Sequence, residues 1–258
     1  MKNITQIKKT DGLDLPFSGY NASQTESTQK IEVNLNDQLS AALKEYKRYP
    51  TLKSDDKRYF KTDLNLTSKE ISQLFQIISL DDKLVNIFAE TGGYLTRLIN
   101  NSYNNLSESS FSINVKEGSI LMCFGENLNA SIENPLELLI KGDISDCFYQ
   151  SENLNIYLEG NAEKNIADFS KNITIVTKGD VNSYSFGEGA SNFTGIIDGN
   201  CKDLICSSIN STNILISGEV TFGDNCSLSA RRNVGFGYDA RMDPLFARKM
   251  KEYKEKMS

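Results

Sequence analysis

LLIKGDI (138–144), IYLEGNA (156–162), IVTKGDV (175–181), GIIDGNC (195–201) and ILISGEV (214–220) are five versions of one short phrase. Each is a run of apolar or β-branched residues that enters a glycine and leaves through a polar residue and then an apolar one. The glycines Gly142, Gly160, Gly179, Gly199, Gly218 and Gly237 are spaced by 18, 19, 20, 19 and 19 residues. Self-similarity near twenty residues marks a solenoid, and helical solenoids need longer units of about 30 residues or more. Short β-prone runs bounded by Gly, Asn, Asp and Ser read as strands. The expected fold class is therefore mainly β: a parallel β-helix of about 19 residues per coil. It is expected to be right-handed, because parallel crossovers nearly always are.

Columns down the repeat support this register. After each glycine stand Asp143, Asn161, Asp180, Asn200 and Glu219. Asx residues suit a tight glycine turn, since they tolerate left-handed backbone and bond their own main chain. Before each glycine stand Lys141, Glu159, Lys178, Asp198 and Ser217, so opposite charges become neighbours when coils stack about 4.8 Å apart. Ile144, Ala162, Val181, Cys201 and Val220 form a small apolar column that should point inward. Strand alternation sends Leu138, Ile156, Ile175 and Ile214 inward with Ile140, Leu158, Ile197 and Ile216. It sends Leu139, Tyr157, Val176, Ile196 and Leu215 outward as an apolar stripe. Such a stripe marks a contact surface, covered by the chain's own helices or by a second chain.

The flanks divide the 258 residues into four parts. Residues 1–30 are polar and read as a flexible arm. Residues 31–107 read as a helical amino-terminal unit that closes the first coil, whose backbone is otherwise an open edge. Within it, Asp37 is a candidate cap for a helix over 38–46, and Thr67 with Glu70 forms a capping box. Gly92-Gly93 is expected to end the next helix, with another over 94–103. Residues 108–240 are the solenoid, beginning near Phe111, with an insertion expected at 129–135 around Pro135. Residues 241–258 form a helix that starts at Asp243-Pro244 and keeps Phe246, Met250, Tyr253 and Met257 on one face. It is expected to cap the last coil or to dock on another protein.

Composition removes several chemistries. The chain has no histidine, which excludes Ser-His-Asp and Cys-His nucleophiles and the histidine base of hexapeptide-repeat acyltransferases. Five cysteines without paired spacing (Cys123, Cys147, Cys201, Cys206 and Cys226) read as reduced thiols, with no metal or cofactor expected. Cys123 and Cys147, each five residues after a glycine, are expected to stack in neighbouring coils. The segment 108–240 holds 18 acidic and 8 basic residues, a sign that repels nucleic acid and anionic membrane. A basic–aromatic cluster over 44–61 reads as a solvated loop rather than a nucleic-acid site. No apolar run reaches the roughly 18 residues of a membrane span, and the first residues lack the apolar core of a signal peptide. A cytoplasmic location is expected.

The coils ITIVTKGDVNSYSFGEGASN (173–192) and FTGIIDGNCKDLICSSINST (193–212) resemble the glycine-punctuated β-helix at the carboxyl terminus of glutamate synthase. A similar domain forms a subunit of formylmethanofuran dehydrogenase. The resemblance covers residues 138–237 and implies a structural role, holding domains or subunits of a larger assembly together; it carries over no functional residues. The expected function is thus a non-catalytic scaffold for protein partners, self-association included. Its interface candidates are Leu139, Tyr157, Val176, Ile196 and Leu215 on the wall and Phe246, Met250 and Tyr253 on the last helix. The alternative is an enzyme that acts on carbohydrate through carboxylates.

Overall fold

The computed structural model describes residues 36–49, 61–80, 88–204, 213–222 and 234–258. The expected arm, most of the basic–aromatic cluster, and Cys206 and Cys226 lie outside the described residues. Among the described residues the chain is a β-solenoid with helices at its amino-terminal end and along one wall.

Three helices come first. Helix α1 (Asp37–Arg48) is capped by Asn36, not Asp37: the Asn36 carboxamide accepts from the Leu39 amide at 2.8 Å. Helix α2 (Ser68–Leu80) opens on the expected box, with the Thr67 amide donating to Glu70 at 2.9 Å and the Glu70 amide to Thr67 at 3.3 Å. Partial burial raises the Glu70 carboxyl, but the bonds it accepts from the Thr67 amide, Asn36 and the Thr67 hydroxyl together hold it below its ordinary range. Helix α3 (Phe88–Leu106) runs straight through Gly92-Gly93. The expected C-cap there is wrong, and the physical reason is packing. A Cβ on Gly92 would overlap the Met122 carbonyl oxygen and crowd the Phe124 amide of the first coil. Glycine here lets a helix lie against strand backbone, and that contact overrides its poor helix propensity. Thr96 seals the contact, donating to the Gly92 carbonyl at 2.7 Å and accepting from the Gly125 amide at 2.8 Å.

The strands alternate between two parallel sheets. The first holds β1 (Ser110–Asn114), β3 (Leu136–Lys141), β5 (Glu152–Glu159), β7 (Lys171–Thr177), β9 (Ser191–Ile197), β11 (Asn213–Ile216) and β13 (Val234–Phe236), in that order. The second holds β2 (Ile120–Met122), β4 (Asp143–Cys147), β6 (Ala162–Ile166), β8 (Val181–Phe186), β10 (Cys201–Leu204) and β12 (Val220–Phe222). Leu139, Tyr157, Val176, Ile196 and Leu215 pair in succession, the register expected from the glycines. It slips at the end: Leu215 pairs Gly235, so Gly237 falls one residue out of column and opens helix α4 (Gly237–Met242) instead. The insertion at 129–135 is present, since the pairing offset falls from 23 at Asn129–Glu152 to 18 at Leu136–Leu154. A second insertion, in the turn between β1 and β2, lowers the offset from 27 to 23.

The glycine column has a different cause from the one expected. Gly160, Gly179, Gly199 and Gly218 do not occupy the left-handed region; Gly142 at the start of the column does, as does Gly237 at the head of α4. A Cβ on Gly160, Gly179, Gly199 or Gly218 would overlap the carbonyl of the glycine one coil below. The Asx side chains beside them bond the next coil rather than their own backbone. Asp143, Asn161, Asp180 and Asn200 accept from the amides of Asn161, Asp180, Asn200 and Glu219 at 2.7, 2.9, 2.8 and 3.0 Å. A second ladder, unforeseen in the sequence, joins Asn153, Asn172 and Asn192, each with left-handed backbone, through carboxamide bonds of 2.7 and 2.8 Å. The expected charge column yields Lys141–Glu159 at 3.7 Å, an exposed pair that contributes a few tenths of a kcal/mol.

The inward columns form one continuous core with α1, α2 and α3; α2 packs on β1 and α3 on β2 to close the first coil, and α1 packs on α2. The two glycines of α3 make opposite predictions. Gly92→Ala should cost about 1–3 kcal/mol or more, because its neighbour is backbone. A Cβ on Gly93 would meet only side-chain ends, the Tyr49 hydroxyl at 3.2 Å and the Arg97 Nη1 at 3.9 Å, so Gly93→Ala should stay within about 1 kcal/mol of the parent. Urea unfolding of both, read at unchanged m-value, checks this.

Candidate functional site

Two surfaces decide what the chain offers to the outside. The first is the apolar stripe of the first sheet. Helix α5 (Pro244–Met257) begins on Asp243, whose carboxylate accepts from the Leu245 amide at 2.7 Å. Among the described residues it does not cover the end of the solenoid, as a cap would. It lies along the wall, against β5, β7 and β9, and α4 sits beside β11 and β13. The geometry is a matter of length. Fourteen helical residues span about 21 Å, and the five strands from β3 to β11 span about 19 Å. Lys256 at the far end reaches back to Glu137 of β3 at 2.6 Å.

All eight interface candidates belong to this seam. Tyr157, Val176, Ile196 and Leu215 form one buried cluster with Phe246, Met250, Tyr253 and Ala240, and Leu139 packs at its margin. Val176 and Ile196 are 0% exposed. Burial pushes the phenols of Tyr157 and Tyr253 up to about 12, so neither ionises near neutral pH. The stripe is therefore occupied by the chain's own helix.

The second surface lies at the corner that follows the second sheet. Cys123, Glu126, Asp146, Cys147, Tyr149, Asn165 and Asp168, drawn from three successive coils, line a cleft of about 230 Å³. Stacking places them. Met122 pairs Ser145 and Cys147 pairs Ile166, so the residues just beyond come to one side of neighbouring coils. Inside the corner, Phe124 and Phe148 meet edge-to-face at 5.7 Å. Outside it, Tyr149 and Phe169 do the same at 5.7 Å, and both are substantially exposed, at 40% and 57%. Cys123 and Cys147 do fall in neighbouring coils and share the cleft. Cys201, of the inward column, is buried.

The cleft's electrostatics are acidic. Asp168 is nearly buried, and one of its oxygens accepts from the Ser185 hydroxyl at 2.6 Å and the Glu188 amide at 3.1 Å. Burial, with Glu188 and Asp146 nearby, holds this carboxyl above its ordinary range despite those two bonds. Asp146 accepts from the Asn165 carboxamide at 3.0 Å and the Ser145 hydroxyl at 3.1 Å, with Lys164 at 4.0 Å on the rim. The Glu126 carboxylate makes no hydrogen bond or ion pair to another described residue. Burial first, then the neighbouring carboxylates, raises the Cys123 thiol, and burial pushes Cys147 up to about 12. Both are thus protonated at neutral pH and poor nucleophiles. Among the described residues no group of three or more Cys, Asp or Glu is placed to hold a metal ion. The sequence reading missed this cleft because its corner carries no recurring glycine on which to align the coils.

No family model, no curated protein and no solved structure matches this chain. Its likeness to the glutamate synthase β-helix rests on the coil pattern alone. No helix of the described residues is long and apolar enough to cross a membrane.

Each surface yields a prediction. Asp168 ionises at a cost in the folded state, a cost present above its raised folded pKa and absent below the unfolded value of about 3.9. Asp168→Asn keeps an acceptor for Ser185 and Glu188 without the charge. It should equal or exceed the parent in urea resistance near neutral pH, and that advantage should vanish below about pH 3.9. Removal of residues 244–258 uncovers the Tyr157–Leu215 face. Light scattering should then report a mass above that of the full chain, and Ile196→Ser in the truncated chain should lower it again.

Proposed function

We propose that this chain is a non-catalytic scaffold for protein partners. The observation that carries the reading is how its polar columns are spent. Asp143, Asn161, Asp180 and Asn200 are fixed acceptors for the next coil, and Asn153, Asn172 and Asn192 bond one another. These bonds build a stiff rod, and a stiff rod presents surface at low cost in conformational entropy. The wall stripe is already covered, so the surface offered is the cleft and its aromatic rim. The likeness to the glutamate synthase β-helix, a structural domain, points the same way.

One observation favours the second reading, a carbohydrate-acting enzyme: Asp146 and Asp168 line the same cleft. General acid–base work needs a carboxyl free to exchange a proton with the substrate. Both of these carboxyls are engaged by donors of their own and neighbouring coils, which supports fixed acceptors over proton carriers.

A direct comparison separates the two. The full chain is incubated with a panel of oligosaccharides and new reducing ends are assayed, beside Asp168→Asn. The expected outcome is no bond cleavage by either protein. In parallel, affinity capture from native cells should recover a stoichiometric partner with the full chain. Cleavage by the parent that disappears in Asp168→Asn overturns the scaffold reading.

A further inference from the structure

The partner-binding chemistry of the cleft follows from its lining, if the scaffold reading is taken as the base. We propose that the cleft receives an arginine side chain presented by a basic segment of the partner protein. Three carboxylates, Glu126, Asp146 and Asp168, line it, and no basic residue does. Lys164 stands at the rim, is more than half exposed, and is turned to Asp146. The surrounding solenoid carries the same sign, 18 acidic against 8 basic residues over 108–240, so a cation is drawn toward it from a distance.

Charge alone would attract any cation; the rim narrows the choice. Tyr149 and Phe169 are large apolar side chains left exposed side by side, and their rings meet at 72°. A planar guanidinium stacks on such a ring face while its N–H fork reaches a carboxylate, a combination that an ammonium point charge does not match. Glu126, which makes no bond to another described residue, supplies the receiving carboxylate. Asp146 and Asp168 are held in place by their own donors and set the field without moving.

Size agrees. A cleft of about 230 Å³ is below the roughly 300–1,000 Å³ of sites that enclose a drug-sized ligand or a cofactor, and it suits one side chain. The chain's own basic helix is not the occupant. α5 lies on the wall of the other sheet, fixed there by Phe246, Met250 and Tyr253.

The test uses the full chain and a short arginine-containing peptide, beside the same peptide with neutral citrulline in place of arginine. Titration calorimetry at low salt should show the arginine peptide binding at least about tenfold more tightly than the citrulline peptide. Added salt should weaken it. Glu126→Gln, and separately the pair Tyr149→Ala with Phe169→Ala, should each weaken it several-fold. All three residues line the surface, so an unchanged urea midpoint shows that the variants remain folded. Equal binding of the two peptides, no binding of either, or full binding by both variants overturns the proposal. So does a captured partner that all these variants retain, and in that case the scaffold reading survives. Glycoside cleavage by the parent would instead remove the scaffold reading itself.

Discussion

The contact on which the rest of the molecule depends is backbone against backbone at the glycine corner. Gly160, Gly179, Gly199 and Gly218 each sit over the carbonyl of the glycine below, at a separation that leaves no room for a Cβ. Once that approach is fixed, the neighbouring Asx oxygens reach the next coil's amides at 2.7–3.0 Å. The strands on either side are then held near the usual spacing of about 4.8 Å. A wider stack would lose the Asx ladder and loosen the inward apolar columns together. Period, ladder and core are one constraint seen three times.

A sheet of this kind has two faces to satisfy. The inner face of the first sheet is filled by Leu138, Ile156, Ile175 and Ile214 with their partners two residues on. The outer face is apolar as well, and α5 meets it with a single row of Phe246, Met250 and Tyr253. A helix suits this task because its length matches the height of the stack, and because four inter-strand gaps need only one connected element. At the amino-terminal end the closure is different. There α3 lies directly on the first coil, through Gly92 and Thr96, and shares its core with the solenoid. The helices are part of the same hydrophobic body as the coils they close.

The opposite corner is where the repeat relaxes. Its residues are not held to glycine, and Asp146, Phe148, Gln150, Ala167 and Phe169 take up left-handed backbone there. That alternation turns some side chains into the core and others out to the rim, and Phe148 and Tyr149 show both outcomes in adjacent residues. Carboxylates from three coils are thereby brought into one cleft although they stand about twenty residues apart in sequence.

The sequence by itself determined the period, the strands, the inward columns, the apolar outer stripe and the capping box at Thr67. Each of these is written in local order: a β-prone run, a glycine, a helical spacing, a side chain three residues from its own backbone partner. Tertiary structure decided everything that depends on what lies one coil away. It made Gly160, Gly179, Gly199 and Gly218 points of close approach rather than sites of left-handed backbone, and it turned Asn161 and Asp180 toward the next coil. It carried α3 through Gly92-Gly93, because the Met122 carbonyl lies where a Cβ would be. It laid α5 along the wall, where the stripe of Tyr157, Val176, Ile196 and Leu215 receives its apolar face. It assembled the cleft from Glu126, Asp146 and Asp168, whose only signal in the sequence is an acidic residue once per coil. Periodicity and propensity are properties of neighbouring residues, whereas stacking distance and exposed area are set only when the chain has closed on itself.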